Sequence, residues 1–142
     1  MTESDPWQMT AEDHAALLEL MRRADEHEGP FGEFVTTNPD GTLCLPWSRN
    51  VPVVDDVVRF LYEKNLQVAG FDWGAWRAGL EKIQRGDQAA LANCTARECL
   101  QYLTLLVRAE RFSEGTLVRA FENGQMQTLL RKVSQYAEPA AD

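Results

Sequence analysis

The stretch Thr95-Ala96-Arg97-Glu98-Cys99-Leu100-Gln101-Tyr102-Leu103-Thr104-Leu105-Leu106-Val107-Arg108-Ala109-Glu110-Arg111-Phe112 decides the fold. Thr95 and Glu98 make a Thr-x-x-Glu capping box, in which each side chain satisfies a backbone N–H that the first turn of a helix leaves without a partner. The helix it opens is expected to run to about Phe112. Cys99, Leu100, Tyr102, Leu103, Leu106, Val107 and Ala109 spread apolar surface over a wide arc. A surface helix needs only one stripe, so this one is expected at the centre, with the other elements packed around it.

On its C-terminal side, Ser113-Glu114-Gly115 breaks the pattern. Leu117, Val118 and Phe121 mark a short helix that Gly124 ends. Met126, Leu129, Leu130, Val133 and Tyr136 recur at helical spacing in a last helix, and residues 137–142 form a frayed tail. On the N-terminal side, Asp72 is placed to cap a helix over Trp73–Arg85, with Trp73, Trp76, Leu80 and Ile83 on one face and Gly86 at its end. One further short turn fits between Asp87 and Asn93. A helix from about Val53 to Lys64 buries Val54, Val57, Val58 and Leu61, with Asp55 and Asp56 at the positive end of its dipole.

Residues 33–46 have a different character. Phe34-Val35-Thr36 and Leu43-Cys44-Leu45 are strand-like, and Asn38-Pro39-Asp40-Gly41 between them is turn chemistry: proline presets φ and glycine accepts φ > 0. A β-hairpin is expected here, with one face laid on helices because two strands alone are marginal. Residues 46–52 read as a loop. Thr10 caps a first helix from Ala11 to Glu28, with Leu17, Leu20, Met21 and Ala24 inward and Gly29-Pro30 as its stop. The expected fold is therefore mainly α: five to six helices around the helix at about 95–112, with one small hairpin at about 33–46. It forms a single domain over residues 10–136 behind a loose lead-in, residues 1–9.

A chain of 142 residues with 44% hydrophobic and 25% charged residues is ordinary globular material and needs no disulfide or metal to build a core. The net charge of −8 is unevenly placed: residues 1–47 hold ten acids and two bases, while residues 48–96 and 97–142 hold six of each. Direct binding to a nucleic-acid backbone, which needs a cationic footprint, is excluded by that balance. An acidic segment attracts a basic protein partner, and Glu12, Asp13 and Glu19 are the residues expected to meet it; the competing reading is a solvated face that only keeps the chain soluble. Mimicry of nucleic-acid charge by the same region ranks below both. No apolar run has the length of a membrane span. The acidic start Met1-Thr2-Glu3-Ser4-Asp5 is unlike a signal peptide. With the odd number of cysteines (Cys44, Cys94, Cys99), it leads to the expectation of reduced thiols in a cytoplasm.

The residue most in need of a partner is Glu110. On the wheel of the central helix it falls inside the arc set by Cys99, Leu103, Leu106 and Val107, and a buried carboxylate is costly unless it is paired. Arg111, Arg108 and Arg119 of the next helix are the cations at hand. Two readings stay open. Glu110 and an arginine form a structural pair, or Arg108, Glu110 and Arg111 line a pocket for a small polar or anionic ligand. Trp47, in a predicted loop, could line the same kind of groove, while Trp73 and Trp76 suit the core. His14 and His27 stand at no metal-ligand spacing from a cysteine, and Cys94-x₄-Cys99 fits no zinc knuckle, so no metal and no cofactor is expected. Cys94 precedes a helix N-terminus, which lowers a thiol pKa. No phosphate loop, dinucleotide fingerprint or nucleophile elbow occurs, and no catalytic residue is assigned.

The run Leu106-Val107-Arg108-Ala109-Glu110-Arg111-Phe112-Ser113-Glu114-Gly115-Thr116-Leu117 resembles the signature of a bacterial family catalogued as domain of unknown function 6508. Phe121, Gly124, Leu129-Leu130, Phe71-Asp72-Trp73 and the Phe34 region extend the resemblance over most of the chain after residue 30. Where the family pattern often has a cysteine after the phenylalanine, this chain has Ser113. The resemblance implies a small bacterial cytoplasmic protein and no particular activity. An interaction or regulatory module is the leading expectation, and a ligand-binding or enzymatic domain around Arg108, Glu110 and Arg111 is the alternative.

Overall fold

The structure, a computed structural model, describes residues 7–113 and 115–137, apart from the side chains of Phe34, Pro46 and Ser48. The expected tail over 138–142 and the first six residues of the lead-in lie outside the described residues. The chain runs α1 (Ala11–Glu26), β1 (Gly32–Thr37), β2 (Leu43–Asn50), α2 (Pro52–Glu63), a 3₁₀ turn (Trp73–Ala75), α3 (Arg77–Arg85), α4 (Gln88–Ala92), α5 (Ala96–Ala109), α6 (Thr116–Glu122) and α7 (Gln125–Tyr136).

The helix that opens with the capping box is central. Glu98 donates its N–H to Thr95 Oγ1 at 3.1 Å, and Thr95 donates its own to Glu98 Oε1 at 3.0 Å. Cys99 and the unbroken run from Tyr102 to Val107 are buried. Within that run the hydroxyl of Thr104 is fully satisfied: it donates to the Leu100 carbonyl at 2.7 Å and accepts the Val68 N–H at 2.8 Å. The second bond pins the connector after α2 to the central helix, so a buried polar atom serves the fold without an orphaned group. Around this axis α7 packs on α1, α4, α5 and α6, and α2 packs on α1 and α6. Leu129, Leu130 and Val133 of α7, Leu17 of α1, and Val57 and Leu61 of α2 join the α5 residues in one core.

The fold is mainly α with a small hairpin, as expected, but several boundaries differ for local reasons. Seven α-helices occur among the described residues, one more than the upper expectation, because Asp87 accepts the Ala90 N–H at 3.1 Å and caps α4 as a helix of its own. The helix expected over Trp73–Arg85 is divided. Asp72 accepts the Ala75 N–H at 3.3 Å, which supports only a 3₁₀ turn, and α3 starts afresh at Arg77. The break lets the Trp76 indole fold back over Gly79, where a Cβ would stand 2.3 Å from the ring. The ring then meets Tyr102 at 4.8 Å and Phe71 at 5.6 Å.

The hairpin turn follows its sequence. Gly41 takes φ 90° and donates to the Asn38 carbonyl at 2.9 Å, while Asp40 Oδ1 accepts the Thr42 N–H at 3.0 Å. The strands, however, extend past the expected 33–46: β2 continues through Pro46 and Trp47 to Asn50, pairing Val35 with Trp47 and Gly32 with Asn50. Proline is tolerated inside β2 because in a two-stranded sheet every strand is an edge. The loop expected over 46–52 is therefore mostly strand. The hairpin is rooted at its base. Phe31 stacks on Phe121 of α6 with ring centroids 5.2 Å apart, and Val51 donates to the Phe31 carbonyl at 2.9 Å. A Cβ on Gly32 would lie 2.6 Å from Val118 Cγ2 and 2.8 Å from the Arg49 carbonyl oxygen, so only glycine permits this approach of strand to helix.

Candidate interaction surface

Glu110 has a partner, but the partner is not an arginine. The central helix ends at Ala109, a turn earlier than Phe112, and Glu110 becomes its C-cap. The chain then reverses to Gly115, which takes φ 96° and starts α6 with no side chain to cap it. The Glu110 carboxylate fills that role from the preceding helix. It accepts the Gly115 N–H at 3.0 and 3.2 Å through its two oxygens, and the Leu117 N–H at 3.3 Å. An anion at a helix N-terminus satisfies unpaired donors and the dipole together. The expectation of a guanidinium partner is thus corrected: backbone N–H groups do what an arginine was expected to do. Among the described residues Glu110 makes no ion pair. Arg108 is half-buried and Arg111 exposed, and among the described residues neither closes on the Glu110 carboxylate. Phe112 beside them is exposed, with its ring 6.0 Å from Trp73.

The expected docking acids sit on α1. Glu12 is exposed. Asp13 is tied within the molecule to Lys64 of α2 at 2.8 Å, and that lysine is the main reason its carboxyl is held below the usual carboxylate value. Glu19 pairs with Arg22, which also pairs with Glu26. So the three acids do not form one free cluster: one is open and two are answered by bases of this chain.

A different surface stands out. Leu43, Leu45 and Trp47 alternate along β2, and they are 84%, 89% and 43% exposed. Thr37 faces Leu43 and Val35 faces Trp47 across the sheet. Beyond Trp47 the rim is charged: Arg49 lies 5.4 Å over the Trp47 ring and pairs with Glu33 at 3.2 Å. Trp47 is thus on a strand instead of in the loop expected for it, and it borders no ligand groove found among the described residues. The alternation Leu43-x-Leu45-x-Trp47 was visible in the sequence. What misled was the inference that such a face must be laid on helices. The hairpin is held at its root, and this apolar strip projects into solvent.

The other recess of note lies where α3, α6 and α7 meet. A cavity of about 250 Å³ is lined by Arg85, Thr116, Arg119, Asn123 and Gln125 among others, with no acid in its wall. Gln125 is almost fully buried and donates to the Ile83 carbonyl at 2.8 Å. Among the described residues no group of His, Cys, Asp and Glu could hold a metal ion, and no helix is long and apolar enough to cross a membrane.

Comparison with known proteins returns no match among curated proteins and none among solved structures. A match to a family model runs over residues 9–139, and it covers the central helix, the Glu110 cap and the hairpin alike. The chain belongs to this family of unknown function, DUF6508.

Proposed function

We propose that the protein is an interaction module that presents the exposed apolar strip of its hairpin to a basic segment of a partner protein. The observation that carries the reading is the exposure of Leu43, Leu45 and Trp47 together on one short strand. A single exposed leucine is ordinary, but contiguous apolar side chains with a charged rim mark protein-binding surfaces. The charge of the partner follows from the placement of acids: the chain's whole negative excess lies in residues 1–47, which include α1 and most of the hairpin. Such a field favours encounter with a cationic segment. Both hairpin edges are unpaired, so an extended partner could add a third strand to a sheet that is marginal with two. A bacterial cytoplasm is the setting assumed, in keeping with three unpaired cysteines.

A displayed library of random peptides tests this directly. Selected peptides are expected to interleave Lys or Arg with apolar residues, to lose at least tenfold in affinity against Leu45→Ser, and to bind more weakly as salt rises. Because Leu45 is almost fully exposed, the substitution should leave stability within about 0.5 kcal/mol of wild type. Selection of acidic peptides, or of peptides indifferent to Leu43, Leu45 and Trp47, overturns the reading. A dimer abolished by Leu45→Ser would replace the basic partner with a second copy of the chain.

A second reading, as a binder of small anions, is favoured by the cavity with Arg85 and Arg119 in its wall and no acid. Two guanidiniums suit a phosphate or carboxylate. Titration calorimetry with inorganic phosphate and pyrophosphate should then give saturable heat that Arg119→Ala removes; absence of heat in the wild type rejects it.

A further inference from the structure

The capping box of α5 carries an unusual pair at its flanks. In this motif the residue before the N-cap packs against the fourth helical residue as a hydrophobic staple. Here those two positions are Cys94 and Cys99, and both are buried, at 4% and 0% exposure. Ordinary staples use leucine, isoleucine or valine, which have no chemistry. Two thiols in this arrangement are brought together by the same turn that satisfies Thr95 and Glu98. The surrounding contacts fix both ends. The Tyr136 hydroxyl donates to the Cys94 carbonyl at 3.0 Å, and the Cys99 thiol donates to the Leu129 carbonyl at 3.6 Å.

We propose that Cys94 and Cys99 are a redox-modification site, at which a hydroperoxide such as hydrogen peroxide closes a disulfide across the first turn of α5. The chemistry has two steps. Cys94 as thiolate attacks one peroxide oxygen, the O–O bond breaks, and a sulfenic acid forms on Cys94 while hydroxide leaves and takes up the thiol's proton as water. The Cys99 sulfur then attacks the sulfenic sulfur, the S–O bond breaks, and the Cys99 proton leaves with the departing hydroxide as a second water. Overall two thiols lose two electrons and two protons, and one peroxide is reduced to two waters.

The division of roles agrees with the local electrostatics. The Cys99 thiol beside it, followed by Lys132, holds the Cys94 pKa below the ordinary thiol value against the opposing effect of burial, and Glu98 opposes it as well. Cys99 is shifted upward, first by its contact with Cys94 and then by burial, so it remains the protonated, resolving partner. Cys44, half-buried on the hairpin, has no such neighbour and is the internal control.

The test uses the full chain with Cys44→Ser to remove the third thiol. The folded protein is treated with hydrogen peroxide, quenched, denatured and reacted with N-ethylmaleimide. The expected product has lost two hydrogen atoms in mass, takes up no maleimide, and yields a peptide cross-linked between Cys94 and Cys99 that a reductant separates. Uptake of two maleimides, or addition of oxygen to either sulfur without cross-linking, overturns the proposal. In Cys99→Ser the sulfenic acid on Cys94 should persist and be captured by dimedone. If that variant does not fold, the mass and cross-link of the parent protein still decide the matter.

Discussion

Phe121→Ala should destabilise the protein by about 3–5 kcal/mol and lower its melting temperature by about 10 °C or more. Phe121 is almost completely buried on α6, and it is the only stacked partner found for Phe31 among the described residues. The loss is therefore twofold. A large side chain leaves a cavity in the helical core, and the ring that anchors the hairpin root loses its seat. A core cavity alone would destabilise the whole chain evenly. A lost anchor adds a local effect: amides of β1 and β2 should exchange with solvent faster than those of α5 and α7, beyond what the drop in global stability accounts for. Urea unfolding followed by tryptophan fluorescence measures the first effect, and residue-resolved hydrogen exchange measures the second. A loss under 1 kcal/mol, or hairpin amides that slow or stay level with those of α5, would contradict this account of how the sheet is attached.

The same residues show how far the sequence could be read. The capping box located α5 to the residue, because Thr95 and Glu98 serve each other without help from the rest of the chain. The turn at Asn38-Pro39-Asp40-Gly41 was equally legible, since proline and glycine set its dihedrals locally. The α7 stripe and the α1 stripe followed from periodicity. What the pattern could not give were events decided by tertiary partners. The break before α3 depends on Trp76 finding Tyr102 and Phe71. The run of β2 past Pro46 depends on having no further strand beside it. Glu110 was singled out correctly as a residue that needs an answer. The answer was misjudged because a helical wheel treats residues 95–112 as one straight element. Once α5 ends at Ala109, the backbone of the next helix comes within reach, and a wheel contains no such donor. The docking strip was missed for a related reason: alternation along β2 says which residues share a face, but only the rooting of the hairpin at Phe31 and Gly32 says that the face is open.

Glu110→Ala should cost about 1–3 kcal/mol, because it leaves the Gly115 and Leu117 N–H groups without an acceptor in a partly buried site. Glu110→Gln keeps one accepting oxygen and removes only the charge, so its cost should be smaller, on the order of the 0.3–1 kcal/mol that an anion contributes at a helix N-terminus. Arg108→Ala and Arg111→Ala, whose guanidiniums make no ion pair with Glu110, should change stability by no more than about 0.5 kcal/mol. The order of the four variants in urea unfolding is what discriminates. Alanine worst, glutamine intermediate and both arginine variants near neutral is the signature of a carboxylate that caps α6. If Arg111→Ala were as costly as Glu110→Ala, and a double variant no worse than either alone, the two side chains would be acting as one unit and the carboxylate would be paired with the guanidinium after all. The capping arrangement also bears on function. A carboxylate with both oxygens engaged by backbone donors has little capacity left to orient an arginine or bind a ligand, so the segment most distinctive in sequence serves to turn α5 into α6. Recognition is left to surfaces that the fold does not itself satisfy, and the open strip of β2 is the most apolar of these.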